Sequence, residues 1–310
     1  MNKMLRTVLL AVCLPFSLPA IHAAGGGVTP LPDPARLQLA SVHAVVAPLN
    51  PWTPVYTKFA DQPVAIASIT KLMTAMVVLD SKQPLDEWLA IREREDDPPK
   101  NAFSRLRLGS EARRADLLRI TLMSSENLAA YVLARHHPGG REAFVAAMND
   151  KARALGMEQT LFVDPSGLWP ENRASATDLL KMVRAAYAYP EIREMSTGTS
   201  QRVHFRNPNY SLDFGNTNAL VHSSRWDVAL SKTGYLTEAG RCLVMVAEVR
   251  GQPMVMVLLD SFGTRTPLGD AGRIRSWLET GSSGMVAGAA LDYERSRTTA
   301  LAGVGGVGEP

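Results

Sequence analysis

Strand-like runs stand at both ends of this chain, and helical patterns fill the stretch between them. Residues 37–47 and 55–59 read as an N-terminal hairpin. Residues 228–232, 242–250 and 254–260 read as three further strands, with Gly251-Gln252-Pro253 as the turn between the last two. Helical periodicity covers 65–79, 115–123, 128–136, 141–155, 176–188 and 271–279. Strands from the two ends can join one antiparallel sheet, with the helices packed against it. The expectation is an α/β fold: an antiparallel sheet flanked by helices, with a largely helical middle.

The first residues stand outside this pattern. Lys3 and Arg6 precede an apolar run from Val8 to Ala20, and the small residues Ala23 and Ala24 follow. That order is the signature of a secretory signal, so residues 1–24 are expected to be cleaved and the protein exported to the periplasm. The run is too short to span a bilayer, and no later segment is long and apolar enough to do so. Residues 25–36, rich in Gly and Pro, read as a flexible leader, and residues 37–280 as the folded domain. Residues 281–310 carry little apolar bulk and are expected to be a disordered tail.

Losing Lys3 and Arg6 with the signal lowers the formal charge from +3 to +1. The remaining arginines are interleaved with acids, which argues against a nucleic-acid surface. Cys242 is then the only cysteine, so no internal disulfide can form. The six histidines show no metal-ligand spacing. No metal and no cofactor are expected.

Chemistry concentrates in the first helical pattern. It is apolar on nearly every side and should be buried, yet it holds Ser68 and Lys71 three positions apart on one face. A buried lysine is rare unless it is paired or used. Desolvation disfavours its charged form, lowers its pKa and leaves an amine that can accept a proton. A serine beside such a base can be a nucleophile. Alone, the pair carries little weight, because Ser-x-x-Lys is expected about once by chance in a chain this long. A capping serine with a snorkelling lysine accounts for most such matches. Two further triplets change its weight. Ser125-Glu126-Asn127 joins two apolar helices, and Lys232-Thr233-Gly234 ends a strand just before Tyr235.

Ser-x-x-Lys, Ser-x-Asn and Lys-Thr-Gly, in that order, mark the penicillin-binding serine peptidases and serine β-lactamases. The surrounding runs match as well, among them Phe162-Val163-Asp164-Pro165-Ser166-Gly167-Leu168, Asn216-Thr217-Asn218 and Leu259-Asp260-Ser261-Phe262-Gly263. Residues 37–280 resemble the low-molecular-mass penicillin-binding proteins of the D-alanyl-D-alanine endopeptidase group, a serine D,D-peptidase family with a β-lactamase/transpeptidase-like fold. The resemblance implies that Ser68 attacks a D-alanyl carbonyl to form an acyl-enzyme. Lys71 would take its proton, and Ser125 would relay one to the leaving amine. Asn127, Lys232, Thr233, Gly234 and Tyr235 would bind substrate. Asn127 would also hold Lys71, and the Lys232 cation would keep the Lys71 pKa low. Gly234 would let substrate backbone approach, and the oxyanion would lie between the N–H groups of Ser68 and Tyr235. Peptidoglycan cross-links are the expected substrate and β-lactams the expected covalent inhibitors. Asp260 and Arg265 are tied to the site by the resemblance alone.

Three alternatives stay open. A class A β-lactamase needs a glutamate that activates a hydrolytic water. Glu171 lies in the right region, but Trp169-Pro170-Glu171-Asn172-Arg173 lacks the Glu-x-x-Leu-Asn arrangement. A non-catalytic cell-wall binding protein could lose its nucleophile or base, and both are present. A D-alanyl-D-alanine carboxypeptidase shares all three motifs. Against it stands the lack of a β-rich second domain or amphipathic anchor after the last helix.

Overall fold

The computed structural model describes residues 31–95 and 103–304, so the expected signal peptide lies outside the described residues. The first half runs β1 (His43–Pro48), β2 (Tyr56–Lys58), β3 (Val64–Ala65), α1 (Lys71–Asp80), β4 (Trp88–Ala90), β5 (Glu111–Arg113), α2 (Arg114–Met123), α3 (Asn127–Arg135) and α4 (Gly140–Ala154). It continues with β6 (Arg173–Ala174), α5 (Ala176–Tyr187), α6 (Pro190–Thr197), β7 (Ser200–Phe205) and β8 (Tyr210–Gly215). The last third holds β9 (Val228–Leu236), β10 (Gly240–Val249), β11 (Gln252–Ser261), α7 (Thr266–Thr280) and α8 (Gly288–Val304).

The two ends of the chain meet in one five-stranded sheet, ordered β2-β1-β11-β10-β9. β1 runs antiparallel to β11, with His43 opposite Leu259 and Pro48 opposite Met254. Alternation along the strands then divides the apolar side chains between two cores. Val45, Val244, Val246, Val255 and Val257 face the helical middle. Ala44, Val46, Leu243, Met245 and Met256 face α7, where Ile274 and Trp277 cover them. Cover on both faces explains why β1, β10 and β11 are nearly continuous apolar runs rather than alternating ones. On the helical side, α1 is buried from Lys71 through Val78 and forms the centre of that layer.

Several expectations change. The helix expected over 65–79 is broken at its start. Val64–Ala65 pair with β6, Ala67–Thr70 form a 3-10 turn, and α1 begins only at Lys71. Lys232-Thr233-Gly234 lies inside β9 rather than at its end, since the strand runs on to Leu236. Periodicity does not predict α6, which is one short piece opened by Pro190, nor the β7–β8 hairpin, where Val203 and Phe205 are the only buried residues of β7.

The tail expected to be disordered contains α8. Tyr293 Oη and Arg297 Nε donate to Asp260 at 2.6 and 2.7 Å, and Lys58 pairs with Glu294 at 3.0 Å. These polar contacts, beside a small apolar cluster of Ala290 and Leu291 with Ala40 and Val286, hold the helix, and an argument from apolar bulk does not see it. The end of the expected flexible leader is also docked. Trp277 Nε1 donates to the Asp33 carbonyl at 2.9 Å, and Ser283 Oγ to that of Arg36 at 3.1 Å. Among the described residues, no helix is long and apolar enough to cross a membrane.

Candidate active site

The turn before α1 presents Ser68. Ala67 has a φ of +46°, and Thr70 Oγ1 donates to the Ala67 carbonyl at 2.8 Å, which tightens the turn. Lys71, the first residue of α1, is fully buried. Its Nζ lies 2.7 Å from Ser68 Oγ, 2.7 Å from Asn127 Oδ1 and 2.5 Å from the Ser166 carbonyl. Two of these three partners can only accept. When the amine is neutral, its two protons serve Asn127 and Ser166, and its lone pair is left for the Ser68 hydroxyl proton.

Burial pushes the Lys71 pKa down to about 7; Asp164 and Glu126 oppose that effect and Arg94 adds to it. Lys232 is buried too, and burial followed by the Lys71 charge holds its pKa well below the usual lysine range. The expectation that Lys232 primes Lys71 is therefore corrected in emphasis. Desolvation is the largest cause for each lysine, and the charge effect between them falls on Lys232, whose pKa Lys71 lowers further.

The opposite wall comes from the α2–α3 junction. Ser125 sits there at a φ of +60°, and Glu126 caps α3 by accepting from Leu128 N at 3.0 Å. Asn127 is the first residue of α3, so its side chain reaches Lys71 from a fixed helix end. The third side is β9. A Cβ on Gly234 would lie 3.1 Å from both the Ile66 carbonyl and Ser68 N, so the glycine lets this strand lie against the nucleophile turn without crowding it. Thr233 Oγ1 is 2.7 Å from Thr217 Oγ1, and Thr217 N donates to the Met123 carbonyl at 3.1 Å.

A cleft of about 550 Å³ opens between these walls, bordered by Ser68, Ser125, Asn127, Thr217, Thr233 and Gly234. Tyr235 lines it as well, with the Arg241 guanidinium 3.8 Å from its ring centroid. Lys71 reaches it through Ser68, and Lys232 precedes Thr233 on the same strand. All eight residues singled out from sequence thus come together.

Sequence reasoning gave no role to Ser166, Thr74 or Thr217. The runs holding Ser166 and Thr217 were visible, but nothing in them announced a carbonyl aimed at Lys71 or a hydroxyl beside Thr233. Glu171 is exposed and lines a different cavity, of about 570 Å³, together with His43, Asp260 and Arg297. Asp260 therefore belongs to the α8 contact, and Arg265 to the start of α7. Among the described residues, no group of three His, Cys, Asp or Glu is placed to hold a metal ion.

The D-alanyl-D-alanine carboxypeptidase family of peptidases matches residues 31–263. The chain belongs to this family. It is 48% identical over 264 residues to the D-alanyl-D-alanine endopeptidase of Pseudomonas aeruginosa, covering 85% of each chain. It is 42% identical over 296 residues to the D-alanyl-D-alanine endopeptidase of Escherichia coli, covering 96% of this chain and 94% of the relative. Among solved structures, a mutant of the Streptomyces K15 DD-transpeptidase superposes with a TM-score of 0.72 at 27% identity, covering 78% of this peptidase and 98% of that chain. Penicillin-binding protein D2 from Listeria monocytogenes, in its cefotaxime-bound form, superposes at 0.67 and 28% identity, covering 79% and 98%. The antiparallel sheet with its helical layers is thus the DD-transpeptidase fold, and the protein is a serine hydrolase of the D,D-peptidase type.

Proposed function

We propose that this peptidase is a D,D-endopeptidase that hydrolyses D-alanyl cross-links in peptidoglycan through an acyl-enzyme on Ser68. The observation that carries the reading is the Lys71 amine, buried, 2.7 Å from Ser68 Oγ and held by two acceptors. Ser68 Oγ attacks the carbonyl carbon of a D-alanyl residue while its proton passes to neutral Lys71. The negative charge on the carbonyl oxygen is met by the backbone N–H groups of Ser68 and Tyr235. When the tetrahedral adduct collapses, the C–N bond breaks and the leaving amine takes a proton through Ser125, with Lys232 and Thr233 binding the substrate. Water then replaces the amine, and the same steps in reverse order release the acid and restore Ser68.

A β-lactam presents a carbonyl to Ser68 in the same way, so penicillin should acylate and inhibit the enzyme. The glutamate considered for a β-lactamase mechanism lines another cavity, which favours slow release of that adduct. The endopeptidase reading draws on relatives of that name that align over most of both chains. Its workplace is the periplasm, given the N-terminal signal pattern. The family's own description as carboxypeptidase makes removal of a terminal D-alanine the second reading.

Incubating the mature protein with purified peptidoglycan and separating the products tests both. Cross-linked dimers should become monomers. Conversion of pentapeptides to tetrapeptides alone would favour the second reading. Neither change, with rapid β-lactam hydrolysis, would overturn the proposal. Ser68→Ala should abolish covalent labelling by fluorescent penicillin while the fold is kept.

A further inference from the structure

We propose that Asp164 is a positioning residue for acylation: its carboxylate folds the loop that delivers the Ser166 carbonyl to Lys71 and so keeps the base on Ser68. The inference rests on the assignment of Ser68 and Lys71 as nucleophile and base.

Asp164 is buried, and its two oxygens are surrounded by donors from its own loop. Oδ2 accepts from Ser166 N at 2.8 Å and from Ser166 Oγ at 2.5 Å. Oδ1 accepts from Gly167 N at 3.0 Å and from Asn172 Nδ2. The Asn172 side chain returns the tie, accepting from Val163 N at 2.7 Å and Asp164 N at 3.2 Å. A carboxylate satisfied on both oxygens by donors this close in sequence fixes the path of the backbone between them.

The path so fixed touches the catalytic turn at four points. The Ser166 carbonyl accepts from Lys71 at 2.5 Å, and the Pro165 carbonyl accepts from Thr74, one turn along α1, at 2.6 Å. Gly167, at a φ of +79°, lies so close that a Cβ there would stand 2.0 Å from the Ala67 carbonyl. Ile66 N donates to the Asn172 carbonyl at 3.1 Å. The loop therefore grips the residues on either side of Ser68 as well as its base. No side-chain atom of Asp164 contacts Ser68 or Lys71 by hydrogen bond; it acts through Ser166.

The charge of Asp164 adds a second effect. The charged groups that bear on Lys71 are Asp164 from this loop, Glu126 at the cap of α3 and Arg94, while Lys232 on β9 is itself lowered by the Lys71 charge. Asp164 favours the protonated amine. Removing its charge should lower the Lys71 pKa, so the neutral amine persists to lower pH. Removing its hydrogen bonds should loosen the Ser166 carbonyl and misplace the amine. The two consequences have opposite signs at acidic pH, which separates this role from simple loop stabilisation.

The test is the rate of Ser68 acylation by fluorescent penicillin, measured on the mature protein from pH 5 to 9. For Asp164→Asn, the plateau rate at high pH should fall about tenfold or more, the cost of a misplaced base. The midpoint of its acidic limb should move down by at least about half a pH unit. A wild-type plateau or an unmoved midpoint would overturn the proposal. Thr74→Val removes one loop anchor and leaves the carboxylate in place. It should lower the plateau severalfold with the midpoint unchanged, and a wild-type rate throughout would count against the loop as the positioning device even if Asp164→Asn fails to fold. Absence of labelling in the wild type would instead refute the nucleophile assignment itself.

Discussion

At the scale of single residues, the lysine beside Ser68 is the group whose protonation state decides reactivity. Its pKa of about 7 means that acylation should rise with pH through about 7 and level off above it, as fluorescent penicillin labelling can read. The same shift bears on stability. The folded pKa lies below the ordinary lysine value of 10.5, so between about 7 and 10.5 the unfolded chain binds more protons than the folded one. Stability from this group should therefore be fully present above about 10.5 and lost as pH falls through about 7. Lys71→Met removes both activity and that dependence. The melting temperature of the variant should gain on the wild type as pH is lowered from 10 to 6, and a constant difference would contradict the burial argument. Gly167 gives a sharper steric case. An alanine there would meet the Ala67 carbonyl and adopt an unfavourable φ, so Gly167→Ala should cost about 3 kcal/mol or more in denaturant unfolding.

At the scale of elements, the sequence was most informative where apolar periodicity was strong and least where polar contacts did the holding. The apolar strands β10 and β11 and the helices α2 to α5 were legible because each buries a face of predictable period. The three motifs located the catalytic side chains because each is a short local spacing: two bridge a turn and the start of the helix that follows it, and the third lies within β9. Ser166 was not legible, because its contribution is a backbone carbonyl whose direction depends on Asp164 and Asn172. The tail escapes an argument from apolar bulk because α8 docks through Tyr293, Glu294 and Arg297, with Ala290 and Leu291 adding a small apolar contact to Ala40 and Val286. Asp260 is 3% exposed and accepts from two of those side chains, so the helix also satisfies a buried carboxylate. Arg297→Ala should lower stability by about 1 kcal/mol, since the guanidinium is partly solvated and Tyr293 still serves Asp260. Penicillin labelling should stay near the wild-type rate, as α8 does not border the Ser68 cleft.

At the scale of the whole molecule, two cores share one sheet, and the nucleophile turn is wedged between β9 and the helical layer. Damage to either core should then shift one common unfolding transition. Leu72→Ala, in the helical core, should cost about 2–5 kcal/mol, and Trp277→Ala, in the α7 core, about 3–5 kcal/mol. Calorimetry should show a single peak for each, and two resolved peaks would argue against shared cooperativity. The pairing of β1 with β11 has a further consequence for how the molecule is made. The first strand to be synthesised has β2 and β11 as its neighbours, so its pairing stays incomplete until the last strand exists. A growing chain is thereby kept from locking into shape early, which is the condition a polypeptide must meet to be threaded through a narrow pore before it folds on the far side.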